Sequence, residues 1–179
     1  DSVGVGSFTS YLSGLADGST YYVRAYATNS VGTVYGEQRF FNTLPLLLPS
    51  VTTNAVSNVT ISSAPCGGNV SSDGNSPVTA RGVCWDTLPN PTVDDSFTAD
   101  SVGVGSFTSH LSGLSDGTTY YVCAYATNGV GTAYGEQRTF NTLPLLLPTV
   151  TTNAVSNITI SSATCGGNGS SDGNSPVTA

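Results

Sequence analysis

Four cysteines, Cys66, Cys84, Cys123 and Cys165, are the residues best equipped for chemistry in this chain of 179 residues. A thiolate can ligate zinc, attack a carbonyl or pair as a disulfide. Zinc is disfavoured because no two cysteines stand in a Cys-x-x-Cys spacing and His110 is the sole histidine. The carboxylates are the second candidates: Asp73, Asp94, Asp95, Asp100 and Asp116 could ligate calcium or act as acid and base. Asp73 and Asp116 each stand directly before a glycine, where an aspartate caps its own turn, and Asp94-Asp95 reads as a solvated loop. No catalytic residue, metal site or cofactor is therefore expected, and the reading is of a protein that is not an enzyme.

The chain repeats itself, and this weakens catalysis further. Asp1 aligns with Asp100, an offset of 100 − 1 = 99 residues, and the 80 aligned pairs differ at 11 positions. His110 is one of them, matched by Tyr11 in the other copy, and Arg24 stands where the second copy has Cys123. A period near 100 residues is too long for a solenoid repeat and matches one small autonomous domain. The junction Leu44-Pro45-Leu46-Leu47-Leu48-Pro49 returns as Leu143-Pro144-Leu145-Leu146-Leu147-Pro148 and marks where each unit begins. Residues 49–147 are then one complete unit, 1–48 the C-terminal half of a preceding one and 148–179 the N-terminal part of a following one. We expect the chain to be a segment of a longer repetitive protein.

Composition narrows the partners. Charged residues make up 8% of the chain, all four basic residues are arginine, and the net charge is −7. That balance lacks the positive footprint that phosphate backbones require, so nucleic acid is not expected as a partner. The apolar Leu-Pro-Leu-Leu-Leu run is far too short to span a bilayer, so no membrane span is expected. The absence of lysine also excludes a lysine-based isopeptide crosslink.

Glycine and proline punctuate short stretches rich in Val, Thr, Tyr and Ile, with no amphipathic run of helical period. This pattern predicts an all-β chain with strands near 51–55, 60–70, 78–86, 105–111, 118–128 and 132–141, and a short one around 96–100. Six or seven strands in about 100 residues fit a two-sheet sandwich.

The segment "LSDGTTYYVCAYATN", 114–128, repeated as "LADGSTYYVRAYATN" at 15–29, resembles the strand-F signature of fibronectin type III domains. Together with "VTTNAVSNVTISSAPCGGNV" and "YGEQRTFNT", the whole unit resembles the fibronectin type III-like repeats of large secreted and surface proteins of bacteria. The resemblance implies tandem two-sheet sandwiches in an extracellular or cell-surface setting. It makes Tyr120 the corner tyrosine, with Val122, Ala124 and Ala126 facing the core and Asn128 closing the strand. Tyr121, Cys123 and Tyr125 then face outward, a split that the period of two supports. Trp85 becomes the core tryptophan. No Arg-Gly-Asp occurs in "NGVGTAYG", so integrin-type recognition is not implied.

Strands C and F are neighbours in this fold, which would let Cys84 and Cys123 meet across the sheet as a disulfide adding roughly 2 to 4 kcal/mol. Cys66 and Cys165 occupy one repeat position on an inward-facing register and read as buried free thiols. Four sequons, at Asn58, Asn69, Asn157 and Asn168, offer N-glycosylation sites. An outward stripe of Tyr22, Tyr26, Tyr121 and Tyr125 could stack on a glycan or on a neighbouring unit.

A flexible tether would be written in Gly and Ser, whereas the Leu-Pro junction restricts φ twice and carries apolar side chains. Its leucines are expected to be buried between units as a stiff, dry joint. The sequence thus reads as a structural repeat of an extracellular filament, stalk or surface adhesin whose partners are copies of itself. Complementation of half-units between chains, head to tail, would extend the array. A spacer or a carbohydrate-binding module in a secreted multidomain protein is the alternative.

Overall fold

The computed structural model describes residues 4–178, and every regular element among them is a β-strand. Four short strands come first: β1 (Thr20–Val23), β2 (Tyr26–Thr28), β3 (Thr33–Tyr35) and β4 (Arg39–Asn42). Eight more follow: β5 (Ser50–Thr53), β6 (Ser63–Ser72), β7 (Ala80–Asp86), β8 (Ser96–Phe97), β9 (Gly105–Ser112), β10 (Thr119–Thr127), β11 (Thr132–Tyr134) and β12 (Arg138–Asn141). The chain closes with β13 (Thr149–Thr152) and β14 (Gly167–Ser171).

Strands β5 to β12 make a two-sheet sandwich. One sheet has the order β5-β6-β9; the other runs β11-β10-β7-β8, with β12 also pairing β10. All pairs are antiparallel. Alternation along β6, β9 and β10 sends Ala64, Cys66, Val70, Phe107, Leu111, Tyr120, Val122, Ala124 and Ala126 into one core with Val83 and Phe140. Burying aliphatic and aromatic side chains at this density is the main source of cohesion in so uncharged a chain. Trp85 packs against this core from its border and stays half-buried. The two sheets approach closely at Gly68, where a β-carbon would stand 2.6 Å from the Ala124 Cβ.

The tyrosine corner is present in both copies. The Ser115 amide donates to the Tyr120 hydroxyl at 3.0 Å, and the Ala16 amide to Tyr21 at 2.7 Å. The strand expected over 132–141 is interrupted between β11 and β12. There the Gly135 amide donates to the Ala124 carbonyl at 2.8 Å, and a β-carbon on Gly135 would crowd Thr53. This ABE and C′CFG arrangement is that of a fibronectin type III-like β-sandwich.

Outside the sandwich, β1 pairs β4, β2 pairs β3, and β13 pairs β14. These pairs repeat the registers of β10 with β12, β10 with β11, and β5 with β6.

Candidate functional site

Each junction is held by backbone polar groups on both of its sides. At the first, the Leu44 carbonyl accepts from the Gly18 amide at 3.1 Å, in the turn before β1. Pro45 offers its carbonyl to the Asn75 side-chain amide at 2.9 Å, and the Leu47 amide donates to the Gly74 carbonyl at 2.8 Å. The Leu47 carbonyl accepts from Asn128 Nδ2 at 2.7 Å. Proline supplies fixed φ and no competing amide donor, so these bonds fall on a backbone that is already restricted.

The second junction repeats the pattern. Gly117 donates to the Leu143 carbonyl at 3.1 Å, Asn174 Nδ2 to the Pro144 carbonyl at 2.9 Å, and Leu146 to the Gly173 carbonyl at 2.9 Å. The Leu145 amide adds a bond to the Asp116 carboxylate at 3.2 Å. Gly74 and Gly173 both have φ of +68°, and a β-carbon at either would land on the Leu47 or Leu146 carbonyl oxygen. Only glycine fits such a contact in the left-handed region.

The side chains correct the expectation of a dry joint. Leu44, Leu46, Leu47 and Leu48 are 46 to 71% exposed, and Leu143, Leu145, Leu146 and Leu147 are 42 to 88% exposed. Pro49 is buried, whereas Pro45, Pro144 and Pro148 are not. Hydrogen bonds to the Asp73-Gly74-Asn75 turn hold the backbone on a path that leaves the leucines outside. A cleft of about 350 Å³ lies at the second junction, lined by Leu146, Pro148, Asp172, Ser175, Pro176 and Val177 among others. At the first junction the corresponding region is occupied by the hairpin from Asn128 to Gly131: Gly129 donates to Ser76 Oγ at 3.1 Å.

Asn128 is the pivot of that hairpin, and sequence reasoning gave it only the end of a strand. It is buried; Nδ2 also donates to the Asp73 carbonyl at 2.8 Å, while Oδ1 accepts from the Val130 and Gly131 amides at 2.9 and 3.2 Å. Asp116 and Gly74, the glycine after Asp73, are likewise read from the sequence only as turn residues. Their recurrence 99 positions on, or in the other copy, beside each junction was the signal that could have singled them out.

The outward tyrosine stripe is broken at Tyr125. Tyr125 is 3% exposed, because β8 and the segment before it cover the outer face of β10. Its hydroxyl donates to the Thr98 carbonyl at 2.7 Å, and its ring meets Phe97 edge-on with centroids 6.2 Å apart. Tyr121 is half-buried, while Tyr22 and Tyr26 are exposed beside Phe40 and Tyr35. Among the sequons, Asn58 and Asn157 sit on exposed turns with φ of 45° and 49°. Asn69 lies within β6, half-buried, accepting from Ser106 Oγ at 3.0 Å, and Asn168 lies exposed within β14.

Cys84 and Cys123 are directly opposed in the register of β7 and β10, with their sulfurs 3.3 Å apart. They point to the outer face, as expected, but are buried there because Pro91 roofs them. Its carbonyl accepts from both thiols, at 3.3 Å from Cys84 and 3.2 Å from Cys123. Cys66 is buried in the core and Cys165 is exposed. Burial pushes the Cys66 thiol up. Among the described residues no group of three His, Cys, Asp or Glu could hold a metal ion, and no helix is long and apolar enough to cross a membrane. Asp95 Oδ2 accepts from the Thr92 amide at 2.8 Å, and Asp73 Oδ1 from the Asn75 amide at 3.0 Å.

Several solved structures are similar to part of the chain. The sensor domain of the anti-sigma factor RsgI4 in Pseudobacteroides cellulosolvens matches at 20% identity over 54% of this chain and 96% of its own, with a TM-score of 0.42. The sixth fibronectin type III domain of human fibronectin type III domain containing protein 3 matches at 24% identity over 57% of this chain and 93% of its own, with a TM-score of 0.43. A crystal structure of titin domains matches at 20% identity over 69% of this chain and 40% of its own, with a TM-score of 0.42. No family model matches the chain, and no curated protein matches it in sequence.

Proposed function

We propose that the chain is a structural segment of an extracellular filament, stalk or surface adhesin, built of units divided at 1–48, 49–147 and 148–179. Its partners are further copies of the same unit. The observation that carries this reading is the doubled clamp at each junction. The same three hydrogen bonds to the linker backbone, with Gly18, the Asn75 side chain and Gly74 at one joint and with Gly117, the Asn174 side chain and Gly173 at the other, tie each linker to both neighbours. A tether meant to let domains move freely would leave its backbone to water.

Head-to-tail complementation between half-units of neighbouring copies is part of this proposal. The carbohydrate-binding alternative would rest on Tyr22, Tyr26 and Tyr121, since Tyr125 is buried.

The test is electron microscopy of the native material. Regular fibres with one repeating joint angle are expected; isolated, freely jointed units would remove the filament reading and leave the secreted spacer.

A further inference from the structure

We propose that Cys84 and Cys123 are a redox site: a buried dithiol that closes to a cross-strand disulfide by exchange with a disulfide oxidant entering at Cys123. Three observations carry this beyond a structural role for the unit. The two residues face each other in register, with sulfurs 3.3 Å apart, so bond formation at about 2.0 Å needs only a small closure of two side chains. Both are buried, which keeps their sulfurs facing one another rather than solvent.

The third observation is access. A cleft of about 220 Å³ opens onto Cys123, lined by Asn90, Pro91, Thr92, Tyr134, Gly135 and Gln137. Cys84 does not line it and lies behind Cys123 with no exposed surface. Entry is therefore ordered. Contact between the two sulfurs pulls the Cys123 thiol down and, with burial, pushes Cys84 up. This agrees with Cys123 ionising first, though the geometry alone sets the order.

The chemistry balances as two exchanges. The Cys123 thiolate attacks one sulfur of the oxidant R–S–S–R, forming a mixed disulfide and releasing RS⁻, which takes up a proton. Cys84 then gives up its proton, attacks Cys123 Sγ and expels the second RS⁻. The protein thiols are oxidised by two electrons and the oxidant is reduced to two RSH. Closing the bond removes both S–H donors from the Pro91 carbonyl, so the roof over the pair loses two hydrogen bonds. Arg24 stands in place of Cys123 in the other copy and holds the Gly36 carbonyl at 2.9 Å, so the site belongs to one unit and not to the repeat.

Glutathione disulfide is the probe, applied to the full chain carrying Cys165→Ser to silence the exposed thiol. The expected result is loss of two hydrogens in the intact mass and a Cys84–Cys123 linked peptide on digestion without reductant, with both thiols restored by dithiothreitol. Cys84→Ser should trap the mixed disulfide at Cys123, while Cys123→Ser should leave Cys84 unmodified. Free Cys84 and Cys123 thiols in the oxidised Cys165→Ser chain, revealed by alkylation after denaturation, would overturn the proposal. Glutathione on Cys84 in the Cys123→Ser chain would overturn the order of entry. Because the serine variants could fold poorly, the linked peptide is also sought in the unaltered chain.

Discussion

Asn128 uses every polar atom of its side chain on backbone groups, four bonds in all, two of them closing its own hairpin and two reaching Leu47 and Asp73. Replacing it with alanine leaves buried amides and carbonyls unpartnered, and the unit should lose about 3 kcal/mol in urea unfolding. Asn128→Asp keeps the hairpin acceptor but sets a buried carboxylate oxygen against the Leu47 and Asp73 carbonyls, so its loss should match or exceed that of alanine at neutral pH and shrink in acid as the carboxyl protonates and regains a donor. A loss for the aspartate variant that does not change with pH would count against this division. Burial pushes the Cys66 thiol and the Tyr125 phenol up, the latter aided by the nearby Asp100 carboxylate. Both groups are neutral when protonated, so above their ordinary values the unfolded chain releases protons that the native state keeps. Their contribution is full below the usual thiol range, about 8.5, and is lost as pH climbs through 8.5 to about 10 and beyond. Urea midpoints measured across that window should fall with pH, and Tyr125→Phe should fall less steeply; an unchanged slope would contradict the assignment. Tyr125 also shows where sequence reasoning stopped. The period of two placed it correctly on the outer face, but the segment over 87–97, which covers that face, carries no periodic pattern from which its position could be read.

At the scale of elements, the strands were legible because Val, Thr and Tyr alternate along them and glycine or proline ends them. β6, β7, β9 and β10 fall within a few residues of expectation. The break between β11 and β12 was not legible, since it depends on the Ala124 carbonyl and on Thr53, both distant in sequence. The junction stands out in the sequence by its repetition, but its leucines, expected as a dry contact, are exposed. Six apolar or proline residues suggest burial, yet the turn at Asp73-Gly74-Asn75 fixes the backbone by hydrogen bonds and leaves the leucines out. Gly74→Ala therefore tests an element and not a core. With φ of +68° and the Leu47 carbonyl in the way, alanine should cost about 2 kcal/mol or more. Most of the disturbance should lie at the joint, read as faster amide exchange at Leu47 while Val83 and Val122 keep their protection. Loss of protection throughout the sandwich would show the turn to be part of the fold itself.

At the scale of the whole molecule, a sparsely charged, repetitive sandwich is joined to a linker held from both sides. Under the proposed filament, a joint that fixed the angle between units would, by repetition, give a straight or helical path. The Asn75 and Asn174 side chains, each reaching a proline carbonyl at 2.9 Å, are the contacts that bridge linker and following unit without belonging to either core. The most direct test is small-angle scattering of a three-unit stretch of the repeat, measured as the natural sequence and with both asparagines changed to alanine. A rigid, elongated particle with a well-defined maximum dimension, which shortens and broadens in the double variant, is the expected result. A natural sequence that already scatters as freely jointed units, indistinguishable from the variant, would contradict the claim that the junction fixes the angle.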